Sequence, residues 1–182
     1  METCVSSDDE LLRLAREFDH QALERIYDVY SPGLYRYAMR LLGNAMLAED
    51  CVAETFTRFL QSLEKHRGPR EHLQAFLYRS AHNWIVDHYR RSDRNAELDE
   101  DLQDGDRSTE ERASDHLHQE KIRSALQKLT PDQHQVIVLK YLEGWDNEAI
   151  SRAVAKPVGA VKSLQHRALE RLRGLLKEED VT

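Results

Sequence analysis

Apolar side chains recur along this chain at the three- and four-residue intervals of an α-helix. Ser7, Asp8, Asp9 and Glu10 match a capping box, with Ser7 as N-cap and Glu10 three residues on. Leu11, Leu12, Leu14, Ala15 and Phe18 form the first stripe, and Leu23, Ile26, Tyr27 and Tyr30 the second. Ser31-Pro32 is a candidate break, because proline favours a first turn and restricts the residue before it. Leu34, Tyr35, Ala38, Leu41 and Leu42 resume the stripe, and Gly43-Asn44 closes it as a C-cap. A third helix is predicted from about Ala45 to Leu63. Leu47, Cys51, Val52, Phe56, Phe59, Leu60 and Leu63 face its core side; Glu49, Asp50, Glu54, Thr57, Arg58 and Gln61 lie opposite. Asp50 and Glu54 stand four apart on one face, a spacing that suits either a solvated surface or docking to a basic partner.

Lys65 to Arg70 reads KHRGPR, a basic turn. It leads into a fourth helix over roughly 71–91. Leu73, Phe76, Leu77, Ala81, Trp84, Ile85, His88 and Tyr89 make its apolar side, with Trp84 and Tyr89 read as partly core. Arg79, Asn83, Asp87, Arg90 and, just beyond, Arg94 make the other side. Arg90 and Arg91 complement the helix dipole. Cations interleaved with aromatic rings also suit single-stranded nucleic acid.

Asp93 to Asp115 has almost no apolar content apart from Leu98 and Leu102, and reads as a mobile acidic linker. It divides the chain into a domain over 1–92, a linker over 93–115 and a second domain over 116–182. In the second domain Leu117, Ile122, Ala125, Leu126 and Leu129 form one amphipathic helix. Thr130-Pro131-Asp132-Gln133 is a helix start, with Thr130 as N-cap and Gln133 closing a capping box. The helix it opens is expected to bury Ile137, Val138, Tyr141 and Leu142 and to stop at Gly144. Asp146 caps a short helix burying Ile150 and Val154, and Pro157 opens a last helix with Val161, Leu164, Ala168, Leu172 and Leu175 inward. Two short helices of this kind, the second lined with cations, form a helix-turn-helix.

The net charge of −7 argues at first against nucleic acid. Residues 93–120 hold eleven acidic and three basic residues, so the rest of the chain sums to +1. Lys156 to Lys177 holds six cations against Glu170 alone. The local field, not the total, decides what each surface attracts. Two cysteines, Cys4 and Cys51, supply neither a disulfide framework nor a metal quartet and point to a reducing compartment. Cys51 lies on an apolar face and reads as a small core residue, not a redox sensor. A polar N-terminus and the lack of a long apolar run point to a cytoplasmic protein without membrane contact of its own. His116, His118 and Glu120, with Asp115, are a weak metal-ligand candidate, because two-residue spacing on a helix splays side chains apart. No Ser-His-Asp arrangement or glycine-rich phosphate loop is apparent, so neither catalysis nor a cofactor is expected.

Three stretches together resemble a bacterial RNA polymerase sigma factor of the extracytoplasmic-function group. Ala48 to Phe56 (AEDCVAETF) is similar to that family's polymerase-docking helix. Ala75-Phe76-Leu77-Tyr78-Arg79, through Asn83 and Asp87 to Arg90-Arg91, resembles its promoter-melting helix. Leu129-Thr130-Pro131, through Val158 to Ser163, resembles its second DNA-binding domain. The resemblance implies sigma domains two and four, no catalysis, and binding to core RNA polymerase and promoter DNA, with an anti-sigma factor as a further partner. Asp50, Glu54, Thr57 and Arg58 would then meet polymerase. His66, Arg67, Arg70, Arg79, Asn83, Trp84, Asp87, Arg90 and Arg91 would serve the minus-ten element. Lys156, Lys162, Ser163, Gln165, His166, Arg167 and Arg171 would serve the minus-thirty-five element.

Departures from the family pattern qualify this. Ala53 stands where the docking motif has Gln, and Ala155 where the turn has Gly. Ala160 replaces Thr, Leu164-Gln165 replaces Arg-Leu, and Leu169 replaces Arg. Gln165 is expected to turn outward, where it could read adenine. The competing reading is a two-domain helix-turn-helix regulator that never docks on polymerase; such a protein has no use for the Asp50/Glu54 face.

Overall fold

A computed structural model describes residues 7–96, 121–122 and 124–179, and among these residues there are helices and no strand. The N-terminal group is α1 (Ser7–Arg16), α2 (His20–Leu42), α3 (Ala45–Glu64) and α4 (Leu73–Ala96). The C-terminal group, after helical residues at 124–127, is α5 (Pro131–Ile137), a π-helical turn (Val138–Leu142), α6 (Asn147–Val154) and α7 (Val158–Glu179). The expected domain edge at 92 falls inside α4. Most of the acidic linker, the candidate ligands His116, His118 and Glu120 with Asp115, and Cys4 lie outside the described residues.

Local signals place most helix ends. Asp19 caps α2 by accepting from the Ala22 amide at 2.9 Å, and Asn44 caps α3 by accepting from Leu47 at 3.0 Å. Gly43 takes the left-handed conformation between them, with φ 65°. Asn44 therefore begins α3; it does not close α2. At α5 the capping box forms as expected between Thr130 and Gln133. α1 begins at Ser7, whose expected capping role lies outside the described side chains.

The predicted break at Ser31-Pro32 does not occur, and α2 runs through Pro32. Pro32 is exposed, on the side where a helix can bend outward to relieve the ring. Tyr30, Leu34, Tyr37 and Ala38 hold both halves of α2 to one core. That core is completed by Leu12 from α1, Phe59 from α3 and Leu73, Leu77 and Ile85 from α4. Leu60 and Tyr27, expected inside, are exposed; Tyr27 lies with its ring 4.8 Å from that of Phe56. Thr55 is buried instead, and its hydroxyl donates to the Cys51 carbonyl at 2.7 Å.

The largest departure is in the C-terminal group. Tyr141 and Leu142 were expected in the core but are 54% and 44% exposed. The π-helical turn widens the helix over Val138–Leu142 and shifts which side chains face inward. Val136, Ile137, Val138 and Leu139 take the buried positions. Gly144, with φ 73°, ends the turn as expected.

The two groups share one hydrophobic core. Val136, Val138, Leu139, Ile150, Ala153 and Val161 belong to the same buried cluster as the residues of α1 to α4. Leu126, Leu129, Ile137 and Ala168 form a smaller second cluster. Gly33 helps set the spacing, since a Cβ there would stand 2.7 Å from the Tyr78 hydroxyl oxygen of α4.

Ala155 closes α6 with φ 53° and ψ 42°, the left-handed conformation that the turn requires. Ala155→Gly is therefore expected to stabilise the fold by about 0.5–1 kcal/mol, because glycine adopts this region without a Cβ clash. Urea denaturation followed by circular dichroism would measure it; a destabilised variant would contradict it.

Candidate functional site

The exposed face of α3 carries Asp50, Glu54, Thr57 and Arg58. Arg58 Nε donates to Glu54 Oε1 at 2.9 Å, an ion pair one helical turn long. Thr57 directs its hydroxyl back to the Ala53 carbonyl at 2.9 Å, and Asp50 is exposed. One exposed carboxylate thus stands a turn before a carboxylate already held by an arginine.

The basic turn between α3 and α4 projects Arg67 and Arg70 into solvent. His66 sits at φ 52°, and the amides of His66 and Arg67 return to Leu63 and Ser62 at 2.9 and 2.8 Å. The neighbouring His72 has φ 57°, and α4 begins only at Leu73, two residues later than expected.

Arg79, Asn83, Asp87 and Arg90 recur along one face of α4, and this face meets the C-terminal group. Arg79 Nε donates to the Ala153 carbonyl at 3.0 Å, and its guanidinium also reaches the Arg152 carbonyl. A cation on the last carbonyls of α6 matches that helix's dipole. Asn83, Asp87 and Arg90 line a cleft of about 590 Å³ with Arg58 on one side and Thr130, Pro131 and Asp132 on the other. Trp84 is half-buried and stacks on His88, with ring centroids 5.4 Å apart. Arg91 is exposed.

On α7, Lys162, Ser163, His166, Arg167 and Arg171 point to solvent. Ser163 donates to the Gly159 carbonyl at 3.0 Å, Arg167 to the Ser163 carbonyl at 3.3 Å, and His166 stands 3.4 Å from Glu170. Lys156 is held 3.3 Å from Asp132 at the start of α5. Gln165 does not turn outward. It is 8% exposed and its Nε2 donates to Asn147 Oδ1 at 3.0 Å. Val161, Gln165, Ala168 and Leu172 keep the helical period, so Gln165 occupies a core slot while Leu164 is only half-buried. The amide survives there because Asn147 satisfies it, and it is not available to read a base.

The seam between the groups contains residues that the sequence pattern did not single out. Tyr78 packs on Trp145 with ring centroids 4.7 Å apart. Arg40 pairs with Glu143 and donates to the Leu142 carbonyl at 3.0 Å. Tyr37 and His82 share a hydrogen bond of 3.1 Å between the hydroxyl and Nδ1. His82, His134 and Gln135 are all buried. Burial lowers both histidines from the ordinary 6.5 to about 4. The one hint in sequence was that His82 follows Ala81 and that His134 stands three and four positions before Ile137 and Val138.

Two helical groups ending in a helix-turn-helix have the architecture of a DNA-binding protein. Residues 26–95 match Sigma-70 region 2, and residues 119–172 match Sigma-70, region 4. The ECF RNA polymerase sigma factor SigL of Mycobacterium tuberculosis is 33% identical over 162 residues, which cover 88% of this chain and 92% of that protein. The ECF RNA polymerase sigma factor BldN of Streptomyces coelicolor is 30% identical over 174 residues, 93% of this chain but 66% of that longer protein. The structure of CnrH in complex with the cytosolic domain of CnrY has the same fold, with TM-score 0.71, 22% identity and coverage of 94% of this chain and 97% of that one. The chain belongs to the extracytoplasmic-function RNA polymerase sigma factors. Among the described residues, no helix is long and apolar enough to cross a membrane.

Arg40→Ala is expected to weaken the seam by about 1–2 kcal/mol. It strands a Glu143 side chain that is 8% exposed, but Arg40 itself is 36% exposed, which reduces the loss expected for a fully buried pair. Small-angle scattering should report a larger radius of gyration at unchanged helicity; an unaltered scattering curve would mean the pair does not hold the groups together.

Proposed function

We propose that this sigma factor docks on core RNA polymerase through the α3 face of Asp50, Glu54, Thr57 and Arg58. It serves the minus-ten element with the basic turn and the α4 face, and the minus-thirty-five element with α7. The observation that carries this reading is the order of surfaces along one chain: a carboxylate face, a cation-and-amide face and a helix-turn-helix, matched to regions 2 and 4 in sequence. The minus-thirty-five contacts come from Lys162, Ser163, His166, Arg167 and Arg171, with Lys156 set back by its pairing to Asp132.

The compact arrangement bears on how the chain works. The C-terminal group ties up Arg79 and walls the cleft that holds Asn83, Asp87 and Arg90. Arg79 cannot serve a melted strand while it holds the end of α6, and the cleft beside α5 narrows access to Asn83, Asp87 and Arg90, so full promoter engagement requires the groups to separate. An inhibitor that favours the compact form would silence both surfaces together. CnrH was solved with the cytosolic domain of CnrY, and RpoE of Bartonella quintana with the anti-sigma factor NepR. An anti-sigma partner for this chain follows by that analogy. The reaction takes place in the cytoplasm, where core polymerase and promoters are, and this chain contributes no catalytic group to it.

The direct test is binding of the purified protein to core RNA polymerase, followed by abortive transcription on a promoter library. Asp50→Lys with Glu54→Lys is expected to abolish core binding and leave helicity unchanged; intact binding by the folded variant would overturn the docking assignment. Lys162→Ala and Arg167→Ala are each expected to lower the slope of log affinity against log salt by about one on duplex promoter DNA. An unchanged slope would mean that the residue does not meet phosphate.

A further inference from the structure

We propose that the seam between the two helical groups is an acid-sensitive latch: protonation of His82 and His134, which line one cleft across it, releases the C-terminal group from α4. The cleft measures about 370 Å³ and is walled by Leu41, Ile85, Tyr89, Leu129 and Pro131, with Arg90 and Gln127 lining it as well. His82 comes from α4 and His134 from α5, each 7% exposed. Nε2 of His134 has no hydrogen-bond partner among the described residues, whereas the Gln135 side chain hydrogen-bonds the Tyr37 hydroxyl. A seam selected only to stay closed would favour apolar side chains at these positions, since a buried unpaired polar group is costly.

The surroundings offer a second proton little support. From α2, the Tyr37 hydroxyl meets His82 Nδ1 at 3.1 Å, and Gln135 lies beside the same hydroxyl. From α3, Arg58 lines the adjoining cleft, and from α4 Asp87 and Arg90 do so. From α5, Asp132 favours charge on His82, but its carboxylate is already paired with Lys156 at 3.3 Å. His82 in turn opposes charge on His134. Two imidazolium ions would thus share one cleft with the Arg90 guanidinium, with Arg58 in the adjoining cleft.

The direction follows from proton counts. Both groups are held at about 4 in the compact form, by burial first, against an ordinary 6.5 once hydrated. The open form therefore binds more protons between those values, and acid favours it. From pH 7.5 to pH 5.5 the open-to-compact ratio should rise by about tenfold for each histidine, about 100-fold for both. The latch acts on domain packing itself, so its test does not depend on polymerase or promoter.

The experiment is single-molecule energy transfer on the full chain, with Asp28→Cys and Arg173→Cys carrying the dyes and Cys4→Ser removing a competing thiol. It is run in the parent and in Arg40→Ala, which brings the open population into range at neutral pH. The expected result is a rise of tenfold or more in the open-to-compact ratio between the two pH values, lost in His82→Gln/His134→Gln. A rise below tenfold, or one that the double variant keeps, overturns the latch. If the double variant loses helicity, NMR titration of the two imidazoles in the parent decides. Midpoints near the ordinary value in the compact form overturn the proposal, and midpoints well below it sustain it.

Discussion

The contact of α4 with α6 is the constraint on which the rest of this structure depends. It sets the rings of Tyr78 and Trp145 together, places Arg79 on the terminal carbonyls of α6, and joins two groups of helices into one buried cluster. Among the described residues the C-terminal group is short of its own core, with a separate buried cluster of Leu126, Leu129, Ile137 and Ala168, against which Leu169 and Leu172 pack. A small helical unit gains much of its burial from a neighbour. The apolar contribution of Val136, Val138, Leu139 and Ile150 is realised in the cluster shared with the N-terminal group.

That arrangement also explains the mixed character of the seam. Apolar contacts at Tyr78, Trp145 and Leu139 hold it shut, while Tyr37, His82, His134, Gln135, Arg40 and Glu143 make it polar enough to survive in water when it opens. Polar groups weaken a permanent interface but limit the exposed apolar area of the separated parts. Arg79 is committed to the end of α6 in this arrangement, while Asn83, Asp87 and Arg90 line the cleft beside α5.

The helix-turn-helix shows how local chemistry and packing divide the work. Thr130, Gln133, Asp146 and Ala155 fix where its helices start and stop, each through a bond or a backbone angle within a few residues. What faces the groove is decided by the rotation of α7 against its neighbours. Gln165 lies inside because Val161 and Ala168 on the same stripe are fully buried, and Asn147 from α6 is there to receive its amide.

Sequence alone was sufficient for the all-α class, the order of the helices, the caps at Thr130 and Asp146, the Gly144 stop, and the three stretches that carry the family likeness. Those features depend on helical period and on side chains within a turn of the backbone group they satisfy. It was not sufficient at Pro32, where tertiary packing of Tyr30 and Leu34 overrode a local break signal. Nor did it foresee the π-helical turn, because adding one residue to a single turn leaves no mark in the pattern of Val138 to Leu142. The seam was beyond its reach altogether. His82 and His134 are 52 positions apart, and no periodicity links residues that distant. Only the tertiary structure brings them into one cleft, since burial and charge at that seam arise from distance in space and not along the chain.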